Sequence, residues 1–253
     1  MDLQLTGRRA LVTGGTRGIG RAIVEALADE GTAVAFCARD AAEIAVTEQE
    51  LAGRTGPVSG SVVDVSDGPG LTAWVGASAE QLGGIDIVVS NVSALAIPNS
   101  EDSWRASFEV DLMAAVRMVG AAMPHLERSD AAVILAISSV SGREIDFTAG
   151  PYGTMKAALI HYVQGLATTL ASKGIRANTV SPGNTFFEGG VWDQIRQGDP
   201  ALYASSLALN PTGRMGTPKE MADAVVFLAS PLSSFTSGTN LVVDGALTRG
   251  VQL

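Results

Sequence analysis

The chain has 253 residues, 46% apolar and 17% charged, which suits one α/β domain with a full core and excludes a disordered chain. Its net charge of −9 argues against nucleic acid and anionic membrane surfaces, both of which need a basic face. Lone Cys37 excludes an internal disulfide, and MDLQLTGRRA carries no apolar leader, so a soluble cytoplasmic protein is expected.

Short apolar runs alternate with longer helical patterns. ALVT (10–13) predicts a first strand, followed by a helical stretch to Glu30 and a second strand at AVAFC (33–37). SVVD (61–64) reads as the third strand, a helical stretch lies near 70–82, and DIVVS (86–90) reads as the fourth strand. From Asp102, residues Trp104, Phe108, Leu112, Val116, Val119 and Met123 recur at spacings of three and four, predicting one continuous amphipathic helix. AVILAIS (132–138) is apolar throughout, as befits a strand buried on both faces. Pro151 opens the next helix, at a position where proline is favoured. RANTV (176–180) and NLVVD (240–244) complete about seven strands, with a helix on Met221, Val225 and Leu228 between them.

This alternation implies parallel crossovers. The expected fold is α/β: a single Rossmann-like domain over 1–253, a doubly wound parallel sheet with helices on both faces. Residues 184–217 fit least well, punctuated by glycine and proline, with Phe186, Phe187, Trp192 and Tyr203 scattered along them. An insertion at the C-terminal edge of a parallel sheet is placed to cover a substrate.

TGGTRGIG (13–20) joins the first strand to the first helix, where a dinucleotide's pyrophosphate needs a close backbone and a helix N-terminus. Gly14 permits the turn, Gly18 the approach and Gly20 the packing of helix on strand, with Thr16, Arg17 and Ile19 completing the loop. At the end of the second strand an NAD site usually carries an acid for the ribose 2′-hydroxyl. Here Ala38 stands in that place and Arg39 follows it, so that Arg17 and Arg39 together suit a 2′-phosphate. The other reading of Arg39 is loop charge paired with Asp40. Asp64, ending the third strand, either accepts from an adenine amino group or caps the DVSD turn.

YGTMK (152–156) puts Tyr152 four positions before Lys156, on one face of a helix. Spacing alone leaves open a solvated surface pair or a phenol tuned by a neighbouring cation. Ser139 lies thirteen positions before Tyr152, and with the G-x-x-x-G-x-G loop and Y-x-x-x-K the whole chain resembles the short-chain dehydrogenase/reductase family. NTVSPG (178–183), GRMGTPKEMADAVVFLAS (213–230) and LVVDGA (241–246) resemble that family's C-terminal half, close to the carrier-protein ketoreductase branch. The resemblance implies Tyr152 as general acid in carbonyl reduction and base in alcohol oxidation, with Lys156 supporting the phenolate and holding the nicotinamide ribose. It implies that Ser139 donates to the developing alkoxide and that NADP(H) carries the hydride. Val65, Asn91, Pro182, Gly183 and Thr185 are further cofactor contacts implied in the same way.

The chain also departs from the family pattern. SNVS (90–93) replaces the usual NNAG, keeping Asn91 and losing the alanine and glycine. The family's fourth catalytic residue is an asparagine, and the matching position in FEVDLM (108–113) is Asp111. A carboxylate cannot donate as an amide can, and its charge would pair with Lys156, which leaves Asp111 a proton-relay candidate. PGNTFF (182–187) offers Thr185 and puts Phe187 where threonine is common. Ser139, Ser141, Phe147, Tyr152, Phe186 and Trp192 are expected to line an apolar pocket for an uncharged or hydrophobic carbonyl substrate. His125 and His161 have no companion ligands, so no metal is expected, while Cys37, Met113, Met118 and Met123 read as core.

The expected function is NADP(H)-dependent interconversion of a ketone or aldehyde with an alcohol. One rival is an NAD-dependent secondary-alcohol dehydrogenase, separated from it by Arg39; another is a non-catalytic dinucleotide sensor, which could dispense with Tyr152 or Lys156. A homotetramer is expected from the apolar stretches 225–228 and 241–243 and from the assembly common in the resembled family.

Overall fold

Seven strands form one parallel sheet in the computed structural model, which describes residues 2–250. They are β1 (Arg9–Thr13), β2 (Ala33–Ala38), β3 (Val58–Val62), β4 (Ile87–Ser90), β5 (Val133–Ile137), β6 (Arg176–Pro182) and β7 (Asn240–Val243). Their order is β3-β2-β1-β4-β5-β6-β7, with every neighbouring pair parallel. The chain winds outward from β1 to β3, then crosses back to set β4 on the other side of β1. That reversal opens a crevice beyond the carboxyl ends of β1 and β4, where α/β proteins bind ligands.

Helices cover both faces. On one lie α1 (Gly18–Asp29), α2 (Ala41–Leu51) and α9 (Pro218–Ala229); on the other lie α3 (Gly68–Leu82), α5 (Ala114–Leu126) and α6 (Pro151–Leu170). Successive strand residues feed opposite layers. Leu11 shares one core layer with Leu71, Met118 and Leu159, whereas Ala10 and Val12 share the other with Ile23, Ile44 and Val225. Two covered faces are why the central strands read as unbroken apolar runs.

Asp86, leading into β4, ties that strand to β1 by accepting from the backbone and guanidinium of Arg9 and from Ser129 Oγ. Burial pushes its pKa up, but the bonds from Arg9 and Ser129 outweigh it and hold the carboxyl below its ordinary value.

Three elements differ from the sequence expectation. First, β3 begins three residues before the expected 61–64, at Val58, and pairs Val34↔Val58 through Ala38↔Val62. A side chain at Gly60 would put its Cβ 2.6 Å from the Phe36 ring, so this edge strand uses glycine where a packed residue was sought. Val62, half of the valine pair that suggested the later start, is exposed.

Second, the helix expected to run unbroken from Asp102 is divided. α4 (Glu101–Ser107) leads into a π-helical turn at Phe108–Met113 before α5 begins. The wider turn changes the angular frame, leaving Phe108 on the surface and burying Asp111. Third, α7 (Val191–Gly198) and α8 (Pro200–Leu209) occupy the stretch read as irregular. Asp199 caps α8 by accepting from Leu202 N, with Pro200 at the first helical position. Among the described residues, no helix is long and apolar enough to cross a membrane.

Candidate functional site

The crevice receives the glycine loop from β1, the end of β5 and the first turns of α6. α1 starts at Gly18, and its N-cap Arg17 makes no side-chain capping bond, so the helix's first N–H groups are available to an anion. A Cβ at Gly20 would lie 2.0 Å from Gly14 O, which makes glycine obligatory where helix meets strand. Asn91 braces the same turn: its Nδ2 donates to Thr13 O and Gly14 O, and its backbone N–H to Thr13 Oγ1. The amide kept from the resembled pattern is thus engaged in holding the loop.

Arg39 follows β2 on the surface, and neither it nor Arg17 has a salt-bridge partner among the described residues. The carboxylate of Asp40 instead caps α2, accepting from Ala42 N at 2.8 Å and Glu43 N at 3.1 Å. Asp64 accepts from the hydroxyl and N–H of Ser66, and these bonds, with Arg39 nearby, lower its pKa. Its side chain therefore serves the turn. Val65 is buried in the core, Ile19 packs beside the opposite layer, and the Thr16 hydroxyl donates to Glu43 Oε2 at 2.8 Å.

The chemistry-bearing groups meet at the end of β5. Gly153 and Gly142 let α6 pack closely against the turn that follows the strand; Cβ atoms there would lie 2.8 Å from Ser141 O and from Lys156 C. Lys156, 2% exposed, donates from Nζ to Ile137 O at 3.0 Å and stands 5.7 Å from the centre of the Tyr152 ring. The sequence left a surface pair open; the burial of Lys156 removes that reading. Ser138 Oγ fixes α6 from the strand side by donating to Lys156 O, while Ser139 Oγ accepts from Ser141 N.

Asp111 completes this group. Its Oδ1 lies 3.2 Å from Lys156 Nζ, and its Oδ2 accepts from Ala94 N at 3.3 Å. Both side chains of the pair are buried, and the angle at Oδ1 falls short of a hydrogen bond, so that oxygen keeps charge contact alone. The π turn is what delivers the carboxylate here.

The remaining sequence candidates lie on the outer wall. β6 ends at Pro182; Gly183 N donates to Val243 O, and Thr185 Oγ1 donates to Gly183 O. Ser141 Oγ is held by Asp146 at 2.6 Å. Phe147, Trp192, Tyr203 and Phe186 form a chain of edge-on ring contacts at 6.0, 6.5 and 6.3 Å, with the Arg196 guanidinium 4.8 Å from the centre of the Phe186 ring. The Phe187 ring reaches back over the loop, so that a Cβ on Gly18 would be 2.5 Å from it. Sequence reasoning missed Asp146, Arg196 and Glu43, because their roles depend on contacts between segments that carry no motif of their own.

A protein-family model described as enoyl-(acyl carrier protein) reductase matches residues 14–248. The chain belongs to the short-chain dehydrogenase/reductase family. It is therefore an oxidoreductase of that family. Isoepoxydon dehydrogenase patN of Penicillium expansum is 40% identical, the match covering 98% of this chain and 97% of that protein. The 3-oxoacyl-[acyl-carrier-protein] reductase FabG of Chlamydia pneumoniae is 31% identical over 98% of this chain and all of its own length (100%). An NADPH-bound short chain oxidoreductase from Pseudomonas aeruginosa, described as containing an atypical catalytic center, superposes with a TM-score of 0.88 at 33% identity, covering 97% of this chain and 99% of that one. The expected seven-stranded Rossmann-like sheet and the expected ketoreductase-like kinship are both found.

Proposed function

We propose that this short-chain dehydrogenase/reductase interconverts a ketone or aldehyde with an alcohol using NADP(H), with Tyr152 exchanging the proton. The buried ammonium of Lys156 beside Tyr152, at the mouth of the switch-point crevice, carries the reading. Ser139, at the end of β5, stands one residue beyond the serine that anchors α6, where its hydroxyl could donate to a developing alkoxide. When bound, NADP(H) supplies or takes the hydride. The residues present suit it: uncapped N–H groups begin α1, and Arg17 and Arg39 have no carboxylate partner among the described residues. The NADPH in the Pseudomonas aeruginosa structure supports the same choice.

The rings of Phe147, Phe186, Trp192 and Tyr203 support an uncharged, mainly hydrophobic substrate covered by residues 184–217 within a single domain. A lone buried cysteine supports a cytoplasmic setting.

Catalytic efficiency should favour NADP(H) over NAD(H) by at least about tenfold, since one charge-assisted contact exceeds the 1.4 kcal/mol required. Arg39→Asp should invert or abolish that preference. Equal use of both cofactors by the unaltered enzyme would overturn the cofactor assignment.

Exposed Phe227, Leu232 and Phe235, on and just after α9, support a homotetramer built through the C-terminal region. Light scattering at micromolar concentration should give four times the mass of one chain, and a monomeric mass would end that idea.

A further inference from the structure

The adenosine end of the proposed cofactor site contains a carboxylate that no motif accounts for. Glu43 lies in the first turn of α2, four residues beyond Arg39, and accepts the Thr16 hydroxyl at 2.8 Å. Thr16 belongs to the glycine loop and Arg39 to the end of β2, so this bond closes across the region that selects between a ribose 2′-hydroxyl and a 2′-phosphate. Other charged groups lie on the same segments. Arg17 and Arg39 are exposed and attract an anion; Asp40 is committed to capping α2, and Asp64 to the Ser66 turn. Glu43 alone is a surface carboxylate directed onto the loop itself.

We propose that Glu43 is a specificity-determining residue that limits the preference for the 2′-phosphorylated cofactor; this rests on the NADP(H) reading above. A 2′-phosphate drawn in by the two arginines must displace Glu43 from Thr16 and tolerate its negative charge. A plain ribose meets the opposite response, because its 2′-hydroxyl can donate to Glu43, which stands in for the acid that an NAD site usually carries at the position of Ala38. Arg39 and Glu43 thus pull in opposite directions, and the net preference is their difference. Because Glu43 is exposed and its contact is solvated, the effect is moderate and weakens with salt.

The test is direct binding of NADPH and NADH to Glu43→Gln, followed by nucleotide fluorescence, with kcat/KM for both as a second readout. Glutamine keeps the length and removes the charge. The ratio of NADH to NADPH dissociation constants should rise by about fivefold at low ionic strength, and the rise should shrink in 0.5 M salt, roughly a Debye length of 4 Å. Thr16→Val serves as the control for a merely structural brace. If Glu43 only steadies the loop, both variants weaken both cofactors in parallel and the ratio stays fixed, which overturns the proposal. An unaltered enzyme that binds neither nucleotide refutes the NADP(H) reading itself. One that binds both, with a ratio indifferent to Glu43→Gln, refutes the role of Glu43 and leaves that reading standing.

Discussion

Tyr152→Phe should lower turnover by about 10²–10⁴-fold while NADPH binding is retained. The substitution keeps the ring, which stands 5.7 Å from the Lys156 ammonium, and removes only the hydroxyl that would give up the proton. An unassisted phenol is a weak base near neutral pH, so the reaction depends on a cation kept close and dry. Lys156 meets both conditions, being 2% exposed and tied to Ile137 O from the end of β5. Steady-state turnover and NADPH fluorescence together check this. A variant that binds NADPH and turns over within a factor of about three of the parent would remove Tyr152 from the chemistry, because general acid–base contributions are far larger than that.

The second large effect falls on stability. Asp111→Ala should destabilise the fold by about 3–5 kcal/mol, the usual consequence of removing one partner from a buried ion pair. Asp111 Oδ1 and Lys156 Nζ are 3.2 Å apart with both side chains buried, so the alanine variant leaves an ammonium with Ile137 O as its only acceptor among the described residues. For a chain of this size the melting temperature should fall by roughly 10 °C. Asp111→Asn isolates the charge from the packing. If the backbone carbonyl at this position suffices for relay, turnover should change by less than about tenfold, or 1.4 kcal/mol in the barrier. The pH–rate profile should move slightly toward acid, since the phenol then feels a cation no longer offset by a carboxylate. An asparagine variant that is folded, binds NADPH and loses as much turnover as Tyr152→Phe would give the carboxylate a direct catalytic part.

Much of the candidate site was legible because its residues announce themselves by short-range spacing. The glycine loop is contiguous, and Tyr152 and Lys156 share a helix face through the geometry of one turn. The strands AVILAIS and AVAFC were legible for a different reason: both of their faces are covered, so burial is written into every residue. What escaped depended on partners distant in the chain. β3 is set by its register against β2 and by the Phe36 ring over Gly60, neither of which its own five residues reveal. The π turn at Phe108–Met113 leaves no trace in a three-and-four spacing, because the apolar residues continue through it while the backbone frame changes. α7 and α8 were obscured by glycine and proline that punctuate helix ends here, as Gly190 does before α7 and Pro200 at the start of α8. The Glu43–Thr16 contact joins residues 27 apart, beyond any periodic signature.

The position of Phe187 has a kinetic meaning. Its ring lies against Gly18, on the loop to which a pyrophosphate must come close, and Gly189, two residues along, has a left-handed backbone (φ +70°). If the ring and the pyrophosphate exclude one another, the loop is open to nucleotide for only a fraction of the time. The apparent dissociation constant then equals the intrinsic one divided by that fraction. Nucleotide capture would be gated, its observed rate levelling off at the frequency with which the aromatic ring swings clear rather than rising without limit with concentration. Two enzymes with identical loops would then differ in the rate of cofactor capture through one residue that forms no bond to the nucleotide.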